Sequence, residues 1–421
     1  MSTELPRGLL ALPPPGDRTL AQLRDKLALL CLHTLLTLPA PSARPIHGPV
    51  SRLQSWLERT ARSEERHALL GALGQVDVLT SVLALRGGVI DASTALSTAV
   101  PALLVGLCRR SGRRGPRETL LWDVRFTRLF DALGERTLEF SPPAQGVLAD
   151  PSGVEIRSAS GARFDALGLS AALPEDVVAR QRFHAVTPGG PVLALSDSNP
   201  LFDLEEHPDK QGNAVDLGGR SPEQWCDRLS AAFTLIEQTL PDLHAELLAG
   251  VERVIPVGYD PERHLSASYR EAPGLVYLTL HPSELTMTEA LIHEAQHGKL
   301  NALRWFDPLL DNGDSTWSRS PVRPDLRPLA GVLLAVHAFV PVAALHRRLE
   351  ELGHPLAAGP EFSRRRREVH GANEHGLATL RELGRPTALG RRVLAALEAL
   401  HAATRTESAP VDPAASVTAL G

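Results

Sequence analysis

The chain has 421 residues, 43% hydrophobic and 22% charged, with a net charge of −5. That length fits two or three domains, and the balance excludes disorder, collagen-like repeats and fibres. The negative charge argues against a general affinity for nucleic-acid backbones. No stretch reads as a run of 18 or more uncharged apolar residues, the length of a membrane span. Met1 to Pro15 has Glu4 ahead of its single Arg7, which fits neither the basic nor the apolar part of a signal peptide. A cytoplasmic protein with no membrane or nucleic-acid partner is the expectation. Cys31, Cys108 and Cys226 stand far apart, with no CxxC spacing, and read as small core residues rather than a disulfide framework or a cysteine zinc site. Of 44 basic residues only Lys26, Lys210 and Lys299 are lysine, a bias that reflects the base composition of the gene more simply than function.

The pattern along the chain predicts an α+β fold, predominantly helical. Residues 1–110 read as a helical region, 111–220 as a β-containing middle, 221–405 as a catalytic region and 406–421 as a flexible tail. Leu20, Leu23, Leu27 and Leu30 recur at helical spacing over Asp17 to Leu38, with Asp17 available as N-cap. Pro39 to Pro49 breaks that pattern. Helices resume over Ser51 to Leu73 and over Val76 to Leu107, interrupted at Gly87-Gly88. The basic stretch Arg109 to Arg117 reads as a solvated linker, with docking of an acidic partner as the alternative. Thr137 to Phe140, Gly153 to Ile156 and Pro191 to Leu195 are short and β-leaning. From Ser221 onward Trp225, Leu229, Phe233, Ile236 and Leu240 line one helical face. Val251 to Val257 and the apolar Leu275 to Leu280 predict strands. Helices over about Thr286 to Trp305, Arg327 to Leu352 and Ser363 to Ala403 follow, the last broken near Gly384-Arg385-Pro386.

The strongest chemical signal is His293-Glu294-Ala295-Gln296-His297. Two His at i and i+4 share one helix face and can reach one metal ion, while the adjacent Glu points toward a bound water or a ligand. With 16 His in the chain, chance places about 0.04 such matches. Thr286 and Glu289 form a capping-box pattern ahead of it. A catalytic metal takes a third protein ligand. Position 303 is Leu, which excludes the metzincin spacing, and the first downstream Glu residues are Glu350 and Glu351 at the far end of the next helix. His337, in the middle of that helix, is the preferred third ligand, with His346, His370 and His375 behind it. His281 is a possible supporting residue. Ser318 to Leu329 places three Arg between prolines, a stiff basic segment able to hold the distal carboxylate of a 2-oxo acid. The four arginines Arg364 to Arg367 read as solvated surface, or as a grip for an acidic leader peptide.

LIHEAQHGKLNALRWFDPL, followed by SPVRPDLRPLAGVLLAVHAFVPVA, resembles the HExxH-type peptide β-hydroxylases of bacterial natural-product clusters. The family shows HExxH, then K-L-(N/G)-A-L, then a Pro-Trp-Arg-x-Asp-Pro-Arg-Pro-Leu segment entering a helix. The match spans roughly residues 275 to 350 and departs from it at Val322, where the family favours Trp, and at Leu334 and His337. The resemblance implies an Fe(II)- and 2-oxoglutarate-dependent oxygenase that uses O2 to hydroxylate a β-carbon of a ribosomally made precursor peptide. It implies iron on His293 and His297, the cosubstrate carboxylate on Arg323 and Arg327, and an orienting role for Glu294. Two other readings stand beside it. One is a gluzincin-like metallopeptidase with Zn on His293, His297 and Glu350 or Glu351. The other is a non-catalytic peptide-binding partner in a maturation complex. The oligomeric state is left open.

Overall fold

The computed structural model describes residues 11–39, 44–168, 173–202, 206–207, 210–319 and 325–405. Arg323 and the expected tail 406–421 lie outside them. The fold is α+β and predominantly helical. In chain order the front holds α1 (Thr19–Leu36), α2 (Arg44–Ala61), α3 (Arg66–Leu73), α4 (Val76–Arg86) and α5 (Ala92–Ser111). The middle holds β1 (Leu120–Trp122), β2 (Phe126–Asp131), β3 (Arg136–Ala144), β4 (Gly146–Asp150), β5 (Gly153–Arg157), β6 (Arg163–Asp165), β7 (Val177–Gln181), β8 (Phe183–Ala185), β9 (Val192–Ala194), β10 (Glu206–His207) and β11 (Lys210–Gln211). Then come α6 (Pro222–Thr239), α7 (Pro241–Gly250), β12 (Arg253–Tyr259), β13 (Ser266–Ala267), β14 (Leu275–Leu280) and α8 (Glu284–Leu303). The chain closes with β15 (Trp317–Arg319), β16 (Leu326–Pro328), α9 (Leu329–Glu351), α10 (Pro360–Leu383) and α11 (Ala388–Arg405).

The described residues form two compact units, one within 18–231 and 247–287, the other within 11–17, 232–246 and 288–405. The expected boundary near 110 falls inside the first. That unit carries a four-stranded antiparallel sheet in the order β1-β4-β5-β6, a three-stranded sheet β2-β3-β7 and a five-stranded sheet β13-β14-β12-β9-β8. In the last, β12 runs parallel to β14 and to β9. All six residues of β14 are buried, as expected of an inner strand in a sheet covered on both faces. Val76, Phe183, Ala194, Ile255, Leu275 and Tyr277 belong to one core cluster there. The buried Arg253 guanidinium meets both oxygens of Asp77, at 2.6 and 2.5 Å, so the charge removed from water is paired in the bidentate geometry that makes such burial tolerable.

Four details differ from the sequence reading. The residue before α1 is Arg18, with no side-chain cap, so Asp17 does not serve as N-cap. The Pro39 to Pro49 break is shorter than expected, because α2 starts at Arg44 and Pro49 lies within it, near enough its start to remove a single early hydrogen bond. α5 and α9 are long and apolar enough to cross a membrane by length and composition, and both are largely buried, α9 at 83%. Their apolar surface is therefore covered by protein. The expected linker also begins inside α5, where Arg109 pairs with buried Asp131 at 2.7 Å and the helix ends on Gly112 in the left-handed region.

The second unit is mainly helical, with the two-stranded β15-β16 sheet ahead of α9. α9 is its most apolar element, with α10 and α11 packed against it. The break between α10 and α11 falls at Gly384 to Thr387, as the Gly-Arg-Pro string predicts. A Cβ at Gly390 would lie 1.8 Å from the Leu309 carbonyl oxygen, so glycine is what lets α11 start against that backbone.

Candidate metal centre

α8 carries the His-Glu-x-x-His string. Its N-terminus is held by Ser283, whose Oγ accepts the Thr286 N–H at 3.2 Å. The expected Thr286/Glu289 capping box therefore does not form. Glu289 turns inward instead: one oxygen accepts from His346 Nε2 at 2.7 Å and the other from Arg365 Nε at 2.8 Å. A buried carboxylate gains more from two charged or strongly dipolar donors than from capping a solvated helix end. Burial works to raise the Glu289 carboxyl, but the His346 bond and then Arg365 outweigh it and hold it below the ordinary range.

One helical turn along, the rings of His293 and His297 lie 4.3 Å apart. Glu294 stands between them, 3.9 Å from His293 Nε2 and 3.6 Å from His297 Nδ1. Among the described residues these three form the one group whose donor atoms all lie within 4.8 Å of one another. Each imidazole also holds a buried nitrogen without a hydrogen-bond partner, Nδ1 of His293 and Nε2 of His297. Glu294 is buried, whereas the two imidazole side chains are 18% and 22% exposed, so the cluster is open on one side. Burial, with His297 beside it, pushes His293 down to about 3. The ring is neutral at physiological pH, the form a metal requires. The Phe339 ring from α9 packs against His293 at 4.5 Å between centroids, and Arg365 lies 5.8 Å over Phe339.

The remaining candidates fall elsewhere. His337 is fully buried on α9, and neither ring nitrogen has a hydrogen-bond partner among the described residues. Burial, then the nearby Lys299 and His297, keep it well below its ordinary value, with the Gln296 backbone opposing this weakly. It stands outside the 4.8 Å group. Glu350 pairs with Arg366 at 3.1 Å and Glu351 with Arg347 at 2.6 Å, and neither joins the group. His281 Nδ1 accepts from the Ser283 N–H in a local turn. His370 faces His401 at 5.7 Å, and His375 is exposed. Arg327, half-buried on β16, pairs with Asp325 at 2.8 Å. Within the arginine run, Arg364 and Arg367 are exposed, while Arg365 and Arg366 are half-buried and ion-paired.

Behind the site Lys299 Nζ donates to both Glu246 oxygens, at 3.0 and 2.9 Å, and to the Ala11 carbonyl at 2.8 Å. Gln296 Nε2 adds a bond to Glu246 at 3.1 Å. This network anchors the α8 face that turns away from the imidazoles. Glu289, Phe339 and Glu246 are not site residues in the sequence reading, and Arg365 enters it only as solvated surface or a leader-peptide grip, not as the partner of Glu289. Glu289 alone carried a usable signal, since it lies four residues before His293 and so on the same helix face.

No protein-family model matches the chain, and no curated protein matches it.

Proposed function

We propose that this protein is a cytoplasmic, non-haem Fe(II), 2-oxoglutarate-dependent oxygenase that hydroxylates a β-carbon of a ribosomally made peptide. The observation that carries the metal assignment is the convergence of two imidazoles and one carboxylate, His293, His297 and Glu294, within 4.8 Å on a half-open face. Two His and one carboxylate with positions left open is the donor set of non-haem iron oxygenases, and the unpartnered ring nitrogens fit metal ligation. Fe(II), when bound, would supply the chemistry of O2 activation driven by oxidation of 2-oxoglutarate.

The chain's own residues have distinct parts in this reading. His293 and His297 would hold the metal through their imidazoles. Glu294 contributes negative charge that lowers the net charge of the metal centre and keeps both rings oriented. Phe339 covers one face of His293 and keeps water from it. Glu289, bound to His346 and Arg365, fixes the helical turn that presents His293. Arg323 and Arg327 are the proposed partners of the cosubstrate carboxylate, by the resemblance of their segment. His337 completes the ligand set if Glu294 only orients. The two cases separate experimentally: Glu294→Gln abolishes iron binding in one, His337→Ala in the other.

The test is succinate formation by the full chain with Fe(II) and 2-oxoglutarate, without a peptide. Turnover that disappears in His293→Ala supports the oxygenase. Hydrolysis of peptides with bound zinc and no succinate would replace it by the peptidase. Neither activity would leave the peptide-binding partner.

A further inference from the structure

A cavity of about 680 Å3 opens in the first unit, far larger than a packing defect and within the usual size of small-ligand sites. One wall is the β2-β3-β7 sheet, with Phe126 and Phe140 meeting edge to face at 5.1 Å. The other is the turn Asp197-Ser198-Asn199 that follows β9. The turn is built to hold a carboxylate in place. Tyr277 Oη donates to Asp197 Oδ2 at 2.7 Å, the Asn199 N–H donates to Oδ1 at 2.8 Å, and Asn199 Nδ2 donates to Tyr277 Oη at 3.1 Å. Ser198 Oγ is buried with no hydrogen-bond partner among the described residues. Asp197 has no ion-pair partner among them either. The cation behind it, Arg253, is already taken by Asp77.

The charges around the cavity are unequal. Arg180 is paired to Glu139 at 3.0 Å, which leaves Arg128 against Glu175, Asp176 and Asp197. We propose that this cavity binds an organic cation, an ammonium or guanidinium on an apolar stem, with the Asp197 carboxylate as its counter-charge and the Phe126 and Phe140 side as its apolar wall. A lysine or arginine side chain of a peptide and a free polyamine share that chemistry. Burial raises the Asp197 carboxyl to about 6, against the Asn199 and Tyr277 bonds and the Arg253 charge that favour ionisation, with Asp77 adding to the rise. Across the cavity the facing charges are Arg128, Arg180, Glu139, Glu175 and Asp176. Cation binding therefore draws a proton from Asp197 and weakens about tenfold between pH 7 and pH 5.

The experiment is calorimetric titration of the full-length protein with agmatine and, separately, with acetyl-lysine-amide. The expected result is binding of at least one, about tenfold weaker at pH 5 than at pH 7 and at least tenfold weaker in Asp197→Asn. Agmatine alone points to a free polyamine, and binding of both to a peptide side chain. Val178→Trp, at the exposed rim, leaves the Asp197 bonds intact and is expected to block either probe. Absence of binding at millimolar probe, equal affinity in Asp197→Asn or Val178→Trp, or stronger binding of succinate than of either cation would overturn the proposal.

Discussion

Lys299 sits two residues beyond the second histidine of the motif and is fully buried. Its ammonium has three N–H bonds, and three acceptors meet them: Glu246 Oε1, Glu246 Oε2 and the Ala11 carbonyl, all within 3.0 Å. Lys299→Met keeps the stem and removes the charge. Glu246 is then buried with the Gln296 amide as its remaining donor. Loss of one partner of a buried pair costs about 3–5 kcal/mol, which for a unit of this size lowers the melting temperature by roughly 10 °C. Adding Glu246→Gln removes the stranded charge and keeps an acceptor for Gln296, so the double variant is expected to recover at least about 2 kcal/mol of that loss. Lys299→Arg does not rescue, because a planar fork cannot direct its donors to three acceptors around a point charge. Denaturant unfolding of the wild type, Lys299→Met, Glu246→Gln, the double variant and Lys299→Arg measures all of these. A single-variant loss below about 1 kcal/mol, or a double variant whose loss is the sum of the singles, would refute the reasoning.

Asp77→Ala leaves Arg253 buried without its bidentate partner and should destabilise the first unit by about 3–5 kcal/mol, measured by chemical denaturation. Gly390→Ala forces a Cβ onto the Leu309 carbonyl at 1.8 Å, and a loss of about 2–4 kcal/mol is expected from the backbone shift it requires. Asp197 has its folded-state value raised to about 6 from 3.8, so the native state holds the extra proton. Its contribution to stability is present at low pH and lost as the pH rises through 4 to 6, by up to about 3 kcal/mol. Asp197→Asn should therefore gain on the wild type across that window, and identical pH profiles would contradict the assignment. Glu289→Gln is expected to weaken metal retention through a looser His293 turn and to lower stability by about 2 kcal/mol, read by metal content and melting temperature together.

Much of the helical scaffold was legible because apolar periodicity and Gly/Pro punctuation act locally. β14 matches the apolar string Leu275 to Leu280 residue for residue, and the α10/α11 break falls at its Gly-Arg-Pro signal. Cap chemistry was less legible. Thr286 and Glu289 satisfy the capping spacing, yet Glu289 has partners 57 and 76 residues away that outcompete a solvated cap. The same limit applies around the candidate metal centre. The i and i+4 histidines are a property of one helix and can be read directly, whereas Arg365 and Glu246 come from distant segments whose local pattern does not say what they pair with. The arginine run illustrates the point: four identical residues in sequence divide into two exposed and two half-buried, ion-paired ones once α10 packs.

The central claim is that His293 and His297 hold one redox-active iron. Metal analysis of the full chain purified without oxygen, alongside His293→Ala and His297→Ala, tests it most directly. The account predicts close to one Fe(II) per wild-type chain, none in either variant, and succinate release only where iron is held. Tightly bound zinc without succinate, or iron retained undiminished in both variants, would contradict it.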